Sequence, residues 1–330
     1  MSLPAVRAVR ERFRTAEIVA LARPWVADLY ACERAVDRVM PFECAGGLRD
    51  FGAKWKLAER LREEHFDWAI LLPNSFEAAL IARLAAIPRR VGYARDRRGW
   101  LLTDPIQPPE PGDIPRHQRF YYLELLRRSG LLERLPGSTS IRMESSDQAA
   151  AAGITRLRDV RLEPPVIGVS PGAAYGNAKR WLPERFAEAA RHLARTRGAS
   201  VALFGSAGER GLCENVAACI GSAAPVHNFA GETSLRQFIE AAAACRVFLT
   251  NDSGAMHIAS ALGVPTVAIF GATDDTATGP AGPLVRVIRE PVECSPCLLR
   301  ECPIDHRCMT SVAASRVVAA ADELWRESEQ

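Results

Sequence analysis

The chain has 330 residues, more than one hydrophobic core ordinarily supports, so two domains are expected. Its 48% hydrophobic and 25% charged residues are those of a globular chain, and a net charge of +3 is too small to argue for a nucleic-acid partner. No run approaches the roughly 20 apolar residues of a bilayer span, and Met1-Ser2-Leu3-Pro4 leads into an Arg-rich amphipathic helix, not a secretory h-region, so a cytoplasmic location is expected.

In chain order the first half alternates helix and strand signals. A helix is expected from Ser2 to Phe13, a strand over Glu17 to Ala22, a helix over Trp25 to Ala31 and a strand near Arg38 to Pro41. Lys56 to Glu64 reads as helix, Trp68 to Leu72 as a buried strand, and Phe76 to Ala86 as a helix beyond a Ser75 cap. Arg89 to Tyr93 is a further strand. Thr103 to Pro115 carries five prolines and is expected to be an irregular surface loop, before a helix from His117 to Arg128.

Ser, Gly, Pro and charge dominate Leu135 to Pro165, with one helix near Asp147 to Val160, so the domains are expected to be 1–150 and 151–330. The second half repeats the βα pattern. Strands are expected at Val166 to Ser170, Ser200 to Phe204 and from Arg246, and helices at Pro183 to Arg197 and Gly208 to Ile220. Ser234 and Gln237 have the spacing of a capping box. Two successive βα domains imply a cleft between them.

Two loops carry the chemistry. In RVFLTNDSGAMHIASALGVPTVAIFGATD, from Arg246 to Asp274, an apolar strand is broken by Asn251-Asp252-Ser253-Gly254, followed by a short helix from Ala255 to Leu262 and a second strand from Thr266 to Phe270. A helix N-terminus at a strand's carboxyl end offers free N–H groups to phosphate, and His257 shares a helix face with Ser253. The other loop runs from Ser170 to Trp181. It would place Lys179 and Arg180 at the same sheet edge, where a diphosphate leaving group gathers charge. Only three of the 42 basic residues are lysines, Lys54, Lys56 and Lys179.

Neither G-x-G-x-x-G nor a P-loop occurs, which counts against dehydrogenase and NTPase readings. Cys294, Cys297, Cys302 and Cys308, with His306 nearby, could hold a structural zinc or form a reduced cysteine-rich loop. Cys32, Cys44, Cys213, Cys219 and Cys245 read mostly as small buried hydrophobes. Arg89, Arg90, Arg95, Arg97 and Arg98, with Arg116, His117 and Arg119, form basic loops. These are either a solvated face or a seat for an anionic acceptor.

PGAAYGNAKRW from Pro171, GETSL from Gly231, TNDSGAMHIASALGVPTVAIFGATD from Thr250, CSPCLLRECPIDHRC from Cys294 and LLPNSFEAAL from Leu71 follow one family pattern in order. On these motifs the chain resembles the bacterial lipopolysaccharide heptosyltransferases of glycosyltransferase family 9, most nearly their type II members. The resemblance implies an α/β glycosyltransferase B fold, two Rossmann-like domains facing across a cleft. ADP-L-glycero-D-manno-heptose would bind the C-terminal domain and heptosyl-Kdo-lipid A the N-terminal one, with inversion at the transferred sugar.

The same resemblance gives Lys179 the donor diphosphate, Thr233 the nucleoside region, and Asp252, Ser253, Gly254 and His257 the phosphate and ribose. Asn74, Ser75 and Arg95 fall to the acceptor. It implies no cofactor and no essential metal, no nucleic-acid partner, and at most peripheral contact with the cytoplasmic face of the inner membrane. Family members begin with a strand and a Gly-Asp turn whose Asp is the proposed general base. The sequence as read starts after both, so the first domain is expected to lack its first strand and the true start is expected upstream. The competing expectations are a nucleotide-sugar-binding protein with impaired catalysis and a nucleotide-sugar epimerase or hydrolase.

Overall fold

The computed structural model describes residues 1–43, 50–136 and 140–329. Cys44 and residues 137–139 of the expected linker therefore lie outside the described residues. The chain divides into two compact units, Met1–Thr139 and Ser140–Gln330.

The first unit contains α1 (Leu3–Arg12), β1 (Val19–Ala22), α2 (Pro24–Ala31), β2 (Arg38–Pro41), α3 (Phe51–Glu63), β3 (Trp68–Leu71), α4 (Phe76–Leu84), β4 (Arg89–Tyr93), β5 (Asp104–Ile106) and α5 (Gln118–Arg128). All its strand pairs are parallel, in a two-stranded sheet β1-β2 and a three-stranded sheet β3-β4-β5. Leu57, Leu61, Ile81 and Ala82 of α3 and α4 pack with Met40, Val19, Ala69 and Leu71, so one helix layer serves strands of both sheets. Ala5 and Ala8 of α1 pack with Leu123 and Leu126 of α5, together with Trp68 and Ile70 of β3. Helix α4 starts where a short polar side chain supplies an acceptor, Ser75 Oγ taking the Ala78 N–H at 3.2 Å.

The stretch Thr103–Pro115 is not wholly irregular. Asp104, Pro105 and Ile106 pair with Val91, Gly92 and Tyr93. Strand β5 lies at the edge of its sheet, where the missing N–H of Pro105 costs no ladder bond.

The second unit contains α6 (Ser146–Asp159), β6 (Val166–Ser170), α7 (Pro183–Arg197), β7 (Ser200–Leu203), α8 (Arg210–Ile220), β8 (Val226–Asn228), α9 (Leu235–Ala243), β9 (Val247–Asn251), α10 (Gly254–Ala261), β10 (Thr266–Phe270), α11 (Asp275–Thr278), β11 (Val285–Arg289), α12 (Arg307–Thr310) and α13 (Ala314–Glu327). Its strands form one parallel sheet in the order β11-β10-β9-β6-β7-β8. Strands β6, β7, β9 and β10 are buried at every residue, as an internal parallel strand must be. Phe186, Leu193, Val201, Leu249, Ile269, Val317 and Leu324 belong to one continuous core. Helix α7 ends at Gly198 in the left-handed conformation, φ +62°, and the Ser234–Gln237 capping box forms as its spacing predicts. Helix α6 packs on α9 so closely that a Cβ at Gly153 would stand 1.9 Å from the Glu240 carbonyl oxygen, and Arg156 bonds Glu240 at 2.9 Å.

Candidate functional site at the sheet switch point

From β6 the chain of the second unit builds outward to β7 and β8, then returns to add β9, β10 and β11 on the other side. The order reverses between β6 and β9. Loops leaving the carboxyl ends of these two neighbours diverge, and the crevice between them is the general ligand site of open α/β sheets. The Lys179 loop follows β6 and the Asp252 loop follows β9. Residues 73 positions apart in sequence meet here, with Lys179 Nζ 2.6 Å from Asp252 Oδ2. The same carboxylate oxygen accepts Thr273 Oγ1 at 2.5 Å, from the loop that leaves β10.

Asn251 stitches the two loops together. It is fully buried, its Oδ1 accepts the Trp181 N–H at 2.9 Å, and its Nδ2 donates to the Pro171 carbonyl at 2.7 Å. Sequence reasoning placed Asn251 among turn formers, but it is the last residue of β9. Its side chain replaces backbone pairing where the sheet ends. Trp181 in turn donates from Nε1 to the Val312 carbonyl at 3.1 Å.

The cysteine-rich segment braces the same loops. Ala178 N–H donates to the Arg300 carbonyl at 3.1 Å, Cys302 N–H to Asn177 Oδ1 at 3.3 Å, and His306 Nε2 pairs with the Ala178 carbonyl at 3.2 Å. On the other side Leu298 N–H reaches the Ala272 carbonyl at 2.8 Å and Ser295 Oγ the Gly271 carbonyl at 2.6 Å. Gly176, at φ +156°, lets the strap pass, since a Cβ there would stand 2.0 Å from the Arg300 oxygen. The four cysteines line a cavity of about 70 Å³. Burial raises the Cys308 thiol above its ordinary value, and Cys294, Cys302 and Cys297 add to the rise. Among the described residues no group of three or more His, Cys, Asp or Glu is placed to hold a metal ion, and the four cysteines form no disulfide. Of the other described cysteines, Cys213 and Cys245 are buried, with Cys213 pushed up to about 12 by desolvation, whereas Cys219 is exposed and corrects the expectation of burial.

Ser253 occupies the N-cap position of α10 without a side-chain cap bond, its Oγ 3.3 Å from Thr250 Oγ1. Apart from its chain neighbours and its own helix backbone, no heavy atom of the described residues lies within 4 Å of where a Gly254 Cβ would sit, so internal packing does not demand glycine there, and Gly254 is exposed at the helix N-terminus. His257 is half-buried one turn on. Thr233 sits in the turn between β8 and α9, shaped by Gly231 at φ +77°. Arg180 does not share the crevice's charge equally with Lys179: its Nη2 donates to the Ala173 carbonyl at 3.2 Å and lies 3.9 Å from Glu209.

In the first unit Asn74 Nδ2 donates to Tyr121 Oη at 2.9 Å, Ser75 caps α4, and Arg95 is exposed. The basic loops are not a uniform face. Arg98 is fully buried, donating to the carbonyls of Tyr93, Pro73 and Ser75 at 2.9, 2.5 and 3.0 Å, and burial lowers its pKa. Arg89 pairs with Asp104 at 2.7 Å and Arg90 donates to the Leu101 carbonyl at 2.8 Å. Thr273 was missed by sequence reasoning. Its signal was position: it lies just beyond the apolar strand Thr266–Phe270, as Asp252 lies beyond Val247–Asn251.

The pattern of glycosyltransferase family 9 (heptosyltransferase) matches residues 54–307. The chain belongs to glycosyltransferase family 9. This family 9 member is 33% identical over 294 residues to lipopolysaccharide heptosyltransferase 2 of Escherichia coli strain K12, spanning 88% of this chain and 84% of that protein. It is 28% identical over 312 residues to lipooligosaccharide heptosyltransferase 2 of Haemophilus influenzae, with the same coverage. Its structure is similar to that of E. coli ADP-heptose lipopolysaccharide heptosyltransferase II, with a TM-score of 0.83 at 30% identity, covering 100% of this chain and 95% of that one. The family 9 chain is thus a glycosyltransferase with two Rossmann-like domains of the glycosyltransferase B type. Among the described residues no helix is long and apolar enough to cross a membrane.

Proposed function

We propose that this glycosyltransferase moves heptose from ADP-L-glycero-D-manno-heptose to the heptosyl-Kdo-lipid A inner core of lipopolysaccharide, on the cytoplasmic side of the membrane. The observation that carries the donor assignment is the meeting of Lys179 and Asp252 at the β6/β9 switch point. The names of the similar heptosyltransferases supply the sugar and the acceptor class, and they favour transfer over the epimerase, hydrolase and non-catalytic readings.

In this reading Lys179 stabilises the diphosphate as its bond to the sugar breaks, because a fixed ammonium in a partly buried site needs no reorganisation as charge develops. Asp252 bears a negative charge and would repel the diphosphate. Its role is to position Lys179 and, with Thr273 as second donor, to present an oriented oxygen to a hydroxyl of the donor. Ser253, Gly254 and His257 offer the open N-terminus of α10 to phosphate and ribose. Thr233 lies on the nucleoside side, and Asn74, Ser75 and Arg95 on the acceptor side. The domain assignment follows the same division, acceptor on the first unit and donor on the second.

The test is incubation of the purified protein with ADP-heptose and heptosyl-Kdo-lipid A, read by mass spectrometry. A gain of one heptose on the acceptor supports the proposal. ADP release at the same rate without acceptor points to a hydrolase, and tight ADP-heptose binding with no turnover points to the binding-protein reading.

A further inference from the structure

The cysteine-rich strap brings a second cation to the Lys179 loop. Arg289, before the strap, and Arg307, near its end, are each held by a carboxylate, Asp275 at 2.9 Å and Asp305 at 3.0 Å. Arg300 is exposed, and among the described residues no carboxylate stands within ion-pair distance of its guanidinium. Its backbone is nonetheless fixed, because its carbonyl takes the Ala178 N–H at 3.1 Å and passes so close to Gly176 that a Cβ there would collide with it. An arginine is thus pinned beside the loop that carries Lys179, with its charge uncompensated.

One aromatic ring joins the two charges. Tyr175 donates from Oη to the Leu298 carbonyl at 2.8 Å, so the strap holds the far end of its ring. Lys179 Nζ lies 4.8 Å from the ring centroid and the Arg300 guanidinium 5.4 Å from it. Two cations beside one ring repel each other, and Asp252 pairs only with Lys179. A diphosphate relieves that repulsion by offering oxygens on two phosphorus atoms, and the guanidinium fork matches a phosphate face that an ammonium meets only as a point charge. The sheet order indicates which phosphate faces Arg300. Thr233, on the nucleoside side, follows β8 at one edge of the sheet, whereas Ser295 and Leu298 tie the strap to Gly271 and Ala272, beyond β10 on the other side of the switch point.

We propose that Arg300 is a second donor-binding cation, gripping the phosphate farther from the nucleoside, the one that bears the sugar, beside Lys179. The proposal rests on the donor site assigned above to the β6/β9 crevice and adds to it a residue from outside both crevice loops.

The experiment is titration calorimetry of ADP and of AMP into the protein and its Arg300→Gln, Arg300→Lys, Arg307→Gln and Lys179→Ala variants. ADP affinity is expected to fall roughly tenfold in Arg300→Gln while AMP affinity changes less than about twofold, because AMP lacks the phosphate that Arg300 grips. Arg300→Lys is expected to recover part of the loss, since it keeps the charge without the fork. Arg307→Gln removes a charge from the same strap and is expected to leave the ratio of ADP to AMP affinity unchanged. Equal weakening of ADP and AMP by Arg300→Gln would show a loosened strap and overturn the proposal, as would the same change of ratio in Arg307→Gln. If Lys179→Ala weakens ADP binding and Arg300→Gln does not, the proposal fails while the donor site stands. If neither variant weakens it, the donor site fails as well.

Discussion

The two units solve the same βα problem with different sheets. The second has one six-stranded sheet whose four inner strands are buried at every residue, while the first has separate sheets of two and three strands in which β3 is half-buried throughout. The difference teaches where precision is built. A pair such as Lys179 and Asp252, from loops 73 residues apart, holds to hydrogen-bonding distance because rigid neighbouring strands carry both loops. The first unit instead leaves Trp25, Phe76 and Trp100 exposed in the segments that follow β1, β3 and β4.

The largest expected break in that comparison is in the cores. Phe248→Ala in β9 should cost about 3–5 kcal/mol, and Ile70→Ala in half-buried β3 clearly less, by urea unfolding. Equal costs would show that the units are built alike. Next, Gly153→Ala should cost about 1–3 kcal/mol, because the new methyl collides with the Glu240 carbonyl where α6 meets α9. An unchanged melting temperature would mean that the helix pair yields freely.

The sequence was most legible where the sheet is most buried. The continuous apolar runs Val166–Ser170 and Thr266–Phe270 were read with correct bounds, and the polar residues breaking or following such runs marked Lys179 and Asp252 as neighbours of a sheet edge. The strands not foreseen, β5, β8 and β11, are all edge strands. Asp104-Pro105-Ile106, Val226-His227-Asn228 and Val285-Arg286-Val287-Ile288-Arg289 mix polar with apolar because one side meets no further strand. Arg98 was illegible for another reason: its burial depends on carbonyls of Pro73 and Ser75, which only the fold brings to it. Thr273 likewise acquires meaning only once β10 is known to lie beside β9.

A finer probe of the second unit is Thr273→Val, which removes one of two donors to Asp252. ADP-heptose affinity should fall roughly two- to tenfold with little change in stability, read by titration calorimetry. No change would separate Thr273 from the site. The smallest effect concerns the first unit at low pH. Arg127 and Arg128 hold the buried Glu124 carboxyl below its ordinary value. A depressed carboxyl stabilises the fold above its unfolded value of about 4.3, and that contribution disappears as pH falls below it. Glu124→Gln should therefore flatten the acid limb of the stability profile while lowering the plateau near neutral pH. A variant with the parent's acid slope would contradict the assignment.

The most direct test of the account is equilibrium titration of ADP-heptose into the protein and its Lys179→Ala variant. Loss of the ammonium from the β6/β9 crevice should weaken binding roughly 10- to 100-fold in a variant that keeps the parent's melting temperature. Equal affinity for the two proteins would contradict the placement of the donor diphosphate at this switch point.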